Sequence, residues 1–232
     1  LDLEKKIARV EKKDLDYYTQ AVSVSDIRVD RPETERALRG GQLGFGEVTV
    51  TTTIPMFKKI KFHSRDSLGF ETLELPTQSL ETVALWFAPP EALAKAMLEK
   101  RLIVGEALVG LANVLVEVTP FLVLCDPSDI GTVVDARNLG RDALFIHDRY
   151  PGGMGFARRC FDQFDDLLAT AASIVRDCAC RDGCPSCVGA PLPPALLAEA
   201  DADTRGRVPD KAAARFLLDA LRYGAPPHGG IA

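Results

Sequence analysis

The sequence predicts an α+β fold, with an antiparallel or mixed sheet, then a helical layer, then a four-cysteine knuckle near the C-terminus. Three observations predict it. Between residues 20 and 87, short runs rich in Val, Ile, Thr and aromatics alternate apolar with polar, the period-2 pattern of half-buried strands. From residue 90 the apolar residues recur at i, i+3 and i+4, as on a helix. Cys178, Cys180, Cys184 and Cys187 then crowd into ten residues.

The elements follow in order. Leu3, Ile7 and Val10 stand among Lys and Glu and predict a short amphipathic helix over residues 3–13. Val22, Val24, Ile27 and Val29 mark a strand, and Pro32 with Gly40-Gly41 predicts a turn or loop over residues 30–41. In residues 47–54, Val48, Val50 and Ile54 share one face while Glu47, Thr49, Thr51 and Thr53 share the other. After Pro55 a strand runs from Phe57 to His63, followed by strands over residues 70–75 and 82–87. Trp86, the one tryptophan, is expected in the core. Pro89-Pro90 closes the sheet region, and a helix is expected from Glu91 with Pro90 at its start. Residues 98–124 read as a central helix apolar all round. Cys125 to Asp129 is a polar turn, where Asp126 and Asp129 could hold a ligand but fit ordinary turn chemistry better. Residues 143–147 form a short strand. One apolar stripe from Phe156 to Val175 predicts a helix ending at Cys178. Pro191, Pro193 and Pro194 form a stiff exit, Asp210 opens a last helix closed by Gly224, and the last eight residues read as disordered.

Composition is that of an ordinary soluble protein, 47% apolar and 26% charged. Leu1 in place of Met is expected of a segment of a longer polypeptide. No stretch has the plan of a secretory leader. Residues 102–124 are interrupted by Glu106, Asn113, Glu117 and Pro120, which argues against a membrane span. Thiol-rich and leaderless, the chain is expected in the cytoplasm, on the nucleoid if the source is bacterial. The net charge of −5 does not advertise nucleic-acid binding. Its distribution is uneven, with 13 Lys/Arg against 10 Asp/Glu in residues 1–65, and 15 against 23 beyond.

Two places could meet a phosphate backbone. Period-2 geometry puts Lys59, Lys61, His63 and Arg65 on one side of a strand, with Phe57 beside them for base stacking. The alternative is an edge strand guarded from aggregation by lysines. The second place is Tyr150-Pro151-Gly152-Gly153-Met154-Gly155, where a strand, a glycine loop and a helix start could hold phosphate on the amides of Gly152 and Gly153. The alternative there is a tight strand-to-helix turn.

The cysteines carry the most specific chemistry. The spacing C-x-C-x3-C-x2-C on a loop bent by Gly183 and stiffened by Pro185 suits one tetrahedral ion, Zn²⁺ first. Disulfides fit a leaderless chain poorly. Cys180-x3-Cys184-x2-Cys187 also matches an iron–sulfur triad of radical enzymes, although that triad lies early in its fold and lacks the extra Cys178. Cys125 and Cys160 read as buried small residues outside the cluster. With four thiolates on zinc no position is left for a catalytic water. The chain has no G-x4-GK[ST] loop, no acidic box for magnesium and no Ser-His-Asp set, so no catalytic residue is assigned.

The Tyr150–Gly155 loop, the following helix and the C-x-C-x2-Gly-Cys-Pro-Ser-Cys block together resemble the C-terminal zinc-binding domain of the MrfA-like superfamily 2 DNA helicases, which have RecQ-like fungal relatives. Leu124-Cys125-Asp126, with Asp129-Ile130-Gly131, is a second matching block. Asp16-Tyr17-Tyr18-Thr19 is similar to the link that follows the motor in such proteins. The resemblance spans roughly residues 15–190. It implies a linker helix over residues 1–20 and a zinc-binding accessory domain over 21–190, with its sheet in 21–87 and its helices and knuckle in 90–190. A C-terminal extension covers 191–232. It further implies an accessory part of an ATP-dependent DNA helicase in DNA repair, with DNA (single strand or fork) and an upstream motor as partners. The family often has histidines near Asn113, and this departure gives Asn113 no metal role. A zinc-stapled protein-interaction module and an iron–sulfur domain are the alternatives.

Overall fold

β-Branched and aromatic residues at alternate positions build six strands in the computed structural model, which describes residues 4–135, 137–190 and 209–224. They are β1 (Tyr17–Leu38), β2 (Gly41–Lys61), β3 (Ser67–Thr72), β4 (Gln78–Ala88), β5 (Ile130–Asp135) and β6 (Ala143–Asp148). The helices are α1 (Glu91–Glu99), α2 (Val104–Val123), α3 (Phe156–Asp162), α4 (Phe164–Asp177) and α5 (Lys211–Tyr223). The chain divides into two compact units, Leu1–Ser23 with Thr53–Pro76, and Val24–Thr52 with Thr77–Ala232.

In the larger unit the strand order is β1-β2-β4-β6-β5. The registers of β2 on β4, β4 on β6 and β5 on β6 are all antiparallel. Residue parity sorts the two faces. Leu43, Phe45, Leu85, Phe87, Leu144 and Ile146 join the helices in the main core. Val48, Val50, Ala84, Trp86, Ala143 and Phe145 form a second cluster on the other face. Trp86 lies there, its ring 6.1 Å from that of Phe145.

The α2 helix is long and apolar enough by composition to cross a membrane, but 61% of that window is buried inside the fold. Its all-round apolarity is that of a central helix. Helices α4 and α5 pack against it. Fully buried Leu108, Leu111 and Leu115 each contribute about 1.5–3 kcal/mol.

In the smaller unit the distal part of β2 pairs antiparallel with β3, from Met56 opposite Thr72 to Ile60 opposite Ser67. Phe62 N–H donates to the Asp16 carbonyl at 2.8 Å, tying the hairpin end to the start of β1.

The expected α+β class is present, with five local differences. Residues 4–13 hold a turn and an isolated bridge rather than a helix, because Ile7 and Val10 stay exposed at 45% and 93% and none of the described residues covers an apolar stripe. The expected loop over 30–41 is strand down to Leu38, since Pro32 lies on an edge strand that can spare its donor. β2 is a continuous strand past Pro55, which sits between its β4 register, ending at Thr52, and its β3 register, starting at Met56. β5 was not anticipated, so the sheet is completed after α2 rather than before the helices. The long helix breaks at Gln163 into α3 and α4, while its apolar stripe continues through Phe161, Phe164 and Leu167. The stiff proline exit and the disordered tail lie outside the described residues.

Candidate metal centre and nucleic-acid face

The metal site grows out of α4. Val175 is buried on its apolar face, and Cys178 is the C-cap, its N–H bonded to the Ile174 carbonyl at 3.2 Å. Gly183 turns the loop at φ 127°, a conformation a side chain would strain. Beyond Pro185, the N–H groups of Cys187 and Val188 both bond the Cys184 carbonyl at 3.1 Å, which brings the last two sulfurs together. Cys187 and Val188 are buried.

All four sulfurs lie within 4.8 Å of one another. Four of the six edges measure 3.6 Å (Cys178–Cys180), 3.6 Å (Cys178–Cys184), 3.5 Å (Cys180–Cys187) and 3.7 Å (Cys184–Cys187). Zinc–sulfur bonds of about 2.3 Å in a tetrahedron place sulfurs about 3.8 Å apart, so the donor set fits one Zn²⁺. None of the four is in a disulfide. A multi-iron cluster binds its cysteines through different irons and needs a wider spread of sulfurs. The backbone N–H of Cys180, with the surrounding thiols, draws the Cys178 thiol down to about 7. Burial pushes the Cys187 thiol up to about 12. A coordinating dication overrides both tendencies, because a metal-bound thiol is deprotonated outright.

Cys125 and Cys160 stand apart from the cluster, and burial pushes the Cys160 thiol up to about 12. Asn113 does structural work beside the knuckle. Its side-chain amide donates to the Val188 carbonyl at 2.8 Å. Asp126 and Asp129 form a reciprocal capping box on a single 3₁₀ turn, and the Tyr150 hydroxyl donates to Asp129 at 2.7 Å.

The amides of the glycine loop from Gly152 onward are all engaged within the protein. Gly152 N–H donates to the Glu81 carbonyl and Gly153 N–H to that of Tyr150. The amides of Met154, Gly155, Phe156 and Ala157 all donate to the buried Asp148 carboxylate, at 2.5 to 3.2 Å. A protein anion thus fills the place a phosphate would take, and the loop is a strand-to-helix turn. The sequence signal for this was Asp148 itself, at the end of an apolar strand.

The basic row is also altered. Lys59 pairs with Glu71 and lies 5.4 Å from the Tyr17 ring centroid, so its charge is already matched. β2 ends at Lys61, while His63 and Arg65 sit in the hairpin turn at φ 65° and 59°. The four residues therefore form a strand end and a loop, not one side of a strand. Phe57 is half-buried. Sequence reasoning missed the exposed rings at this end, Tyr18 at 41%, Phe62 at 45% and Phe70 at 45%. The Tyr18 and Phe62 rings are 5.5 Å apart, and Lys58 covers Phe70 at 5.9 Å.

A family model described as the MrfA Zn-binding domain matches residues 111–188, from mid-α2 through the last cysteine of the tetrahedral cluster. Residues 111–188 belong to the MrfA Zn-binding domain family. The metal of this MrfA-type domain is zinc, in keeping with its donor set. The chain is 34% identical over 194 residues to the uncharacterized ATP-dependent helicase YprA of Bacillus subtilis, covering 82% of this chain and 25% of that protein. It is 25% identical over 201 residues to the ATP-dependent helicase HRQ1 of Saccharomyces cerevisiae, covering 81% and 19%. The crystal structure of the DUF1998 helicase MrfA bound to DNA superposes with a TM-score of 0.62 and 28% identity, over 94% of this chain and 27% of that one. The chain thus spans a quarter or less of the length of these two helicases.

Proposed function

We propose that this chain is the zinc-stapled accessory part of a superfamily 2, ATP-dependent DNA helicase acting in DNA repair. In this reading Cys178, Cys180, Cys184 and Cys187 hold one structural zinc that pins the end of α4 to the core. The observation that carries the reading is the four-thiol tetrahedron inside a chain that aligns along 82% of its length with an ATP-dependent helicase. Chemistry is assigned to motor domains of the same polypeptide, since the 232 residues hold no phosphate-binding lysine loop. Leu98, Phe121 and Leu124 stand 74%, 77% and 83% exposed on the helical layer and offer apolar contacts to such neighbours.

The DNA contact is assigned to the hairpin end of the smaller unit. Exposed rings of Tyr18, Phe62 and Phe70 interleaved with Lys58, Lys61, His63 and Arg65 make a stacking platform with cations at its rim, which suits a single strand. Fluorescence anisotropy with single-stranded, forked and duplex oligonucleotides across a salt series tests this. Salt-sensitive preference for single-stranded or forked DNA is the expected result. Absence of binding at low salt returns the hairpin to the role of a lysine-guarded edge and favours a protein-interaction module.

A further inference from the structure

Helix α5 lies beyond the family match, yet it reaches back to the zinc loop through one side chain. Lys211, the first residue of α5, is buried. Its ammonium donates to the carbonyls of Cys178 at 2.7 Å and Cys180 at 2.8 Å. Its own backbone N–H donates to the Asp182 carbonyl at 3.1 Å. Asp210 caps the helix, accepting from the N–H groups of Ala212 and Ala213. One turn on, Ala214 packs with Cys187 and Val188 in a small apolar cluster touched by Cys178, Cys180 and Cys184. The remaining apolar face, Ala213, Leu217, Leu218, Ala220 and Leu221, is buried in the main core.

A buried ammonium is costly unless a countercharge is near. Among the described residues no carboxylate pairs with Lys211; its side-chain acceptors are two neutral carbonyls of the metal loop. Four thiolates on one Zn²⁺ leave that centre with two negative charges, next to a loop carrying no other buried cation. Each charge supplies what the other lacks.

We propose that Lys211 is the counter-ion of the zinc–tetrathiolate centre, a positioning residue that couples zinc loading to the docking of α5. The inference rests on the zinc reading above. Coupling of this kind is reciprocal, so zinc tightens α5 by the same factor that docked α5 tightens zinc. Loss of zinc would then free the C-terminal helix and uncover the face of α2 and α4 beneath it.

The test uses the 232-residue chain as parent, Lys211→Met and Lys211→Arg. Zinc affinity is measured by competition with a chromogenic chelator, and amide exchange is followed with and without chelator. Outer-shell partners of metal ligands are worth about 10–100-fold in affinity, so Lys211→Met should bind zinc at least about tenfold more weakly, with Lys211→Arg recovering most of the loss. In the parent, zinc removal should deprotect the amides of residues 212–221 together with the loop, while β4 and β6 stay protected and report that the fold survives. A parent that holds one zinc, with unchanged affinity in Lys211→Met and unchanged exchange in α5 on chelation, overturns the coupling alone. A parent that holds no zinc overturns the zinc reading and the coupling with it.

Discussion

The carboxylate of Asp148 accepts the backbone N–H of Ala157 at 2.6 Å, so a side chain at the end of β6 caps a helix nine residues further on. The same carboxylate takes three more amides of the loop, and Asp148 is fully buried. Replacing it with Ala takes the acceptor from all four donors, of which the Ala157 amide is buried and the other three are part-buried. Asp148→Ala should therefore lower stability by about 3 kcal/mol or more, seen as a lower urea midpoint at constant slope. Asp148→Asn keeps one acceptor and should cost less. A variant as stable as the parent would remove this carboxylate as the organiser of the loop.

His147 adds a pH dependence. It is buried, its Nδ1 bonds the Asp148 carbonyl at 3.0 Å, and burial holds its pKa below the usual imidazole value. The unfolded chain takes a proton near pH 6.5 that the folded protein resists, so stability is full above that pH and falls as the solution is acidified through it. The loss is at most about 1.4 kcal/mol per pH unit for one proton. His147→Asn, which keeps a donor for the carbonyl, should flatten the fall in Tm between pH 7 and pH 5. An unchanged pH profile would assign the acid sensitivity elsewhere.

On DNA, two substitutions at the hairpin end should act differently. Lys61→Ala should flatten the log–log salt slope on single strands by about 0.7, the counterions released per phosphate contact. Phe62→Ala should weaken binding by about 1–3 kcal/mol while leaving the slope intact, as expected for a lost stacking surface. Lys59→Ala should change little, because Glu71 already matches that charge. If both variants bind as the parent does and Lys61→Ala aggregates more readily, the hairpin is a guarded edge.

ATP turnover is a further check. The purified 232-residue chain should hydrolyse no ATP with or without DNA, since it lacks the lysine loop and acidic partner that hold nucleotide and magnesium. DNA-stimulated hydrolysis by this chain would contradict the assignment of chemistry to a separate motor.

Much of this architecture was legible in short-range pattern. Val48 and Val50 face one way because strands alternate, and α2 is central because it is apolar all round. The cysteine spacing alone pointed to the site that the fold assembles. What was hidden depends on long-range contact. Pro32 and Pro55 read as breaks until the strand order shows positions that need no ladder donor. The glycine loop reads as either a phosphate cradle or a tight turn until Asp148 is seen to fill it. Phe62 and Tyr18 meet across 44 residues, and Lys211 reaches Cys178 across 33, separations that no local pattern reports.

The central claim is that four cysteines hold one zinc. Elemental analysis of the freshly purified chain, together with X-ray absorption at the metal edge, tests it most directly. One equivalent of zinc with four sulfurs at about 2.3 Å is predicted, lost in Cys184→Ser and retained in Cys125→Ala and Cys160→Ala. Iron in the protein, or less than half an equivalent of zinc, would contradict it.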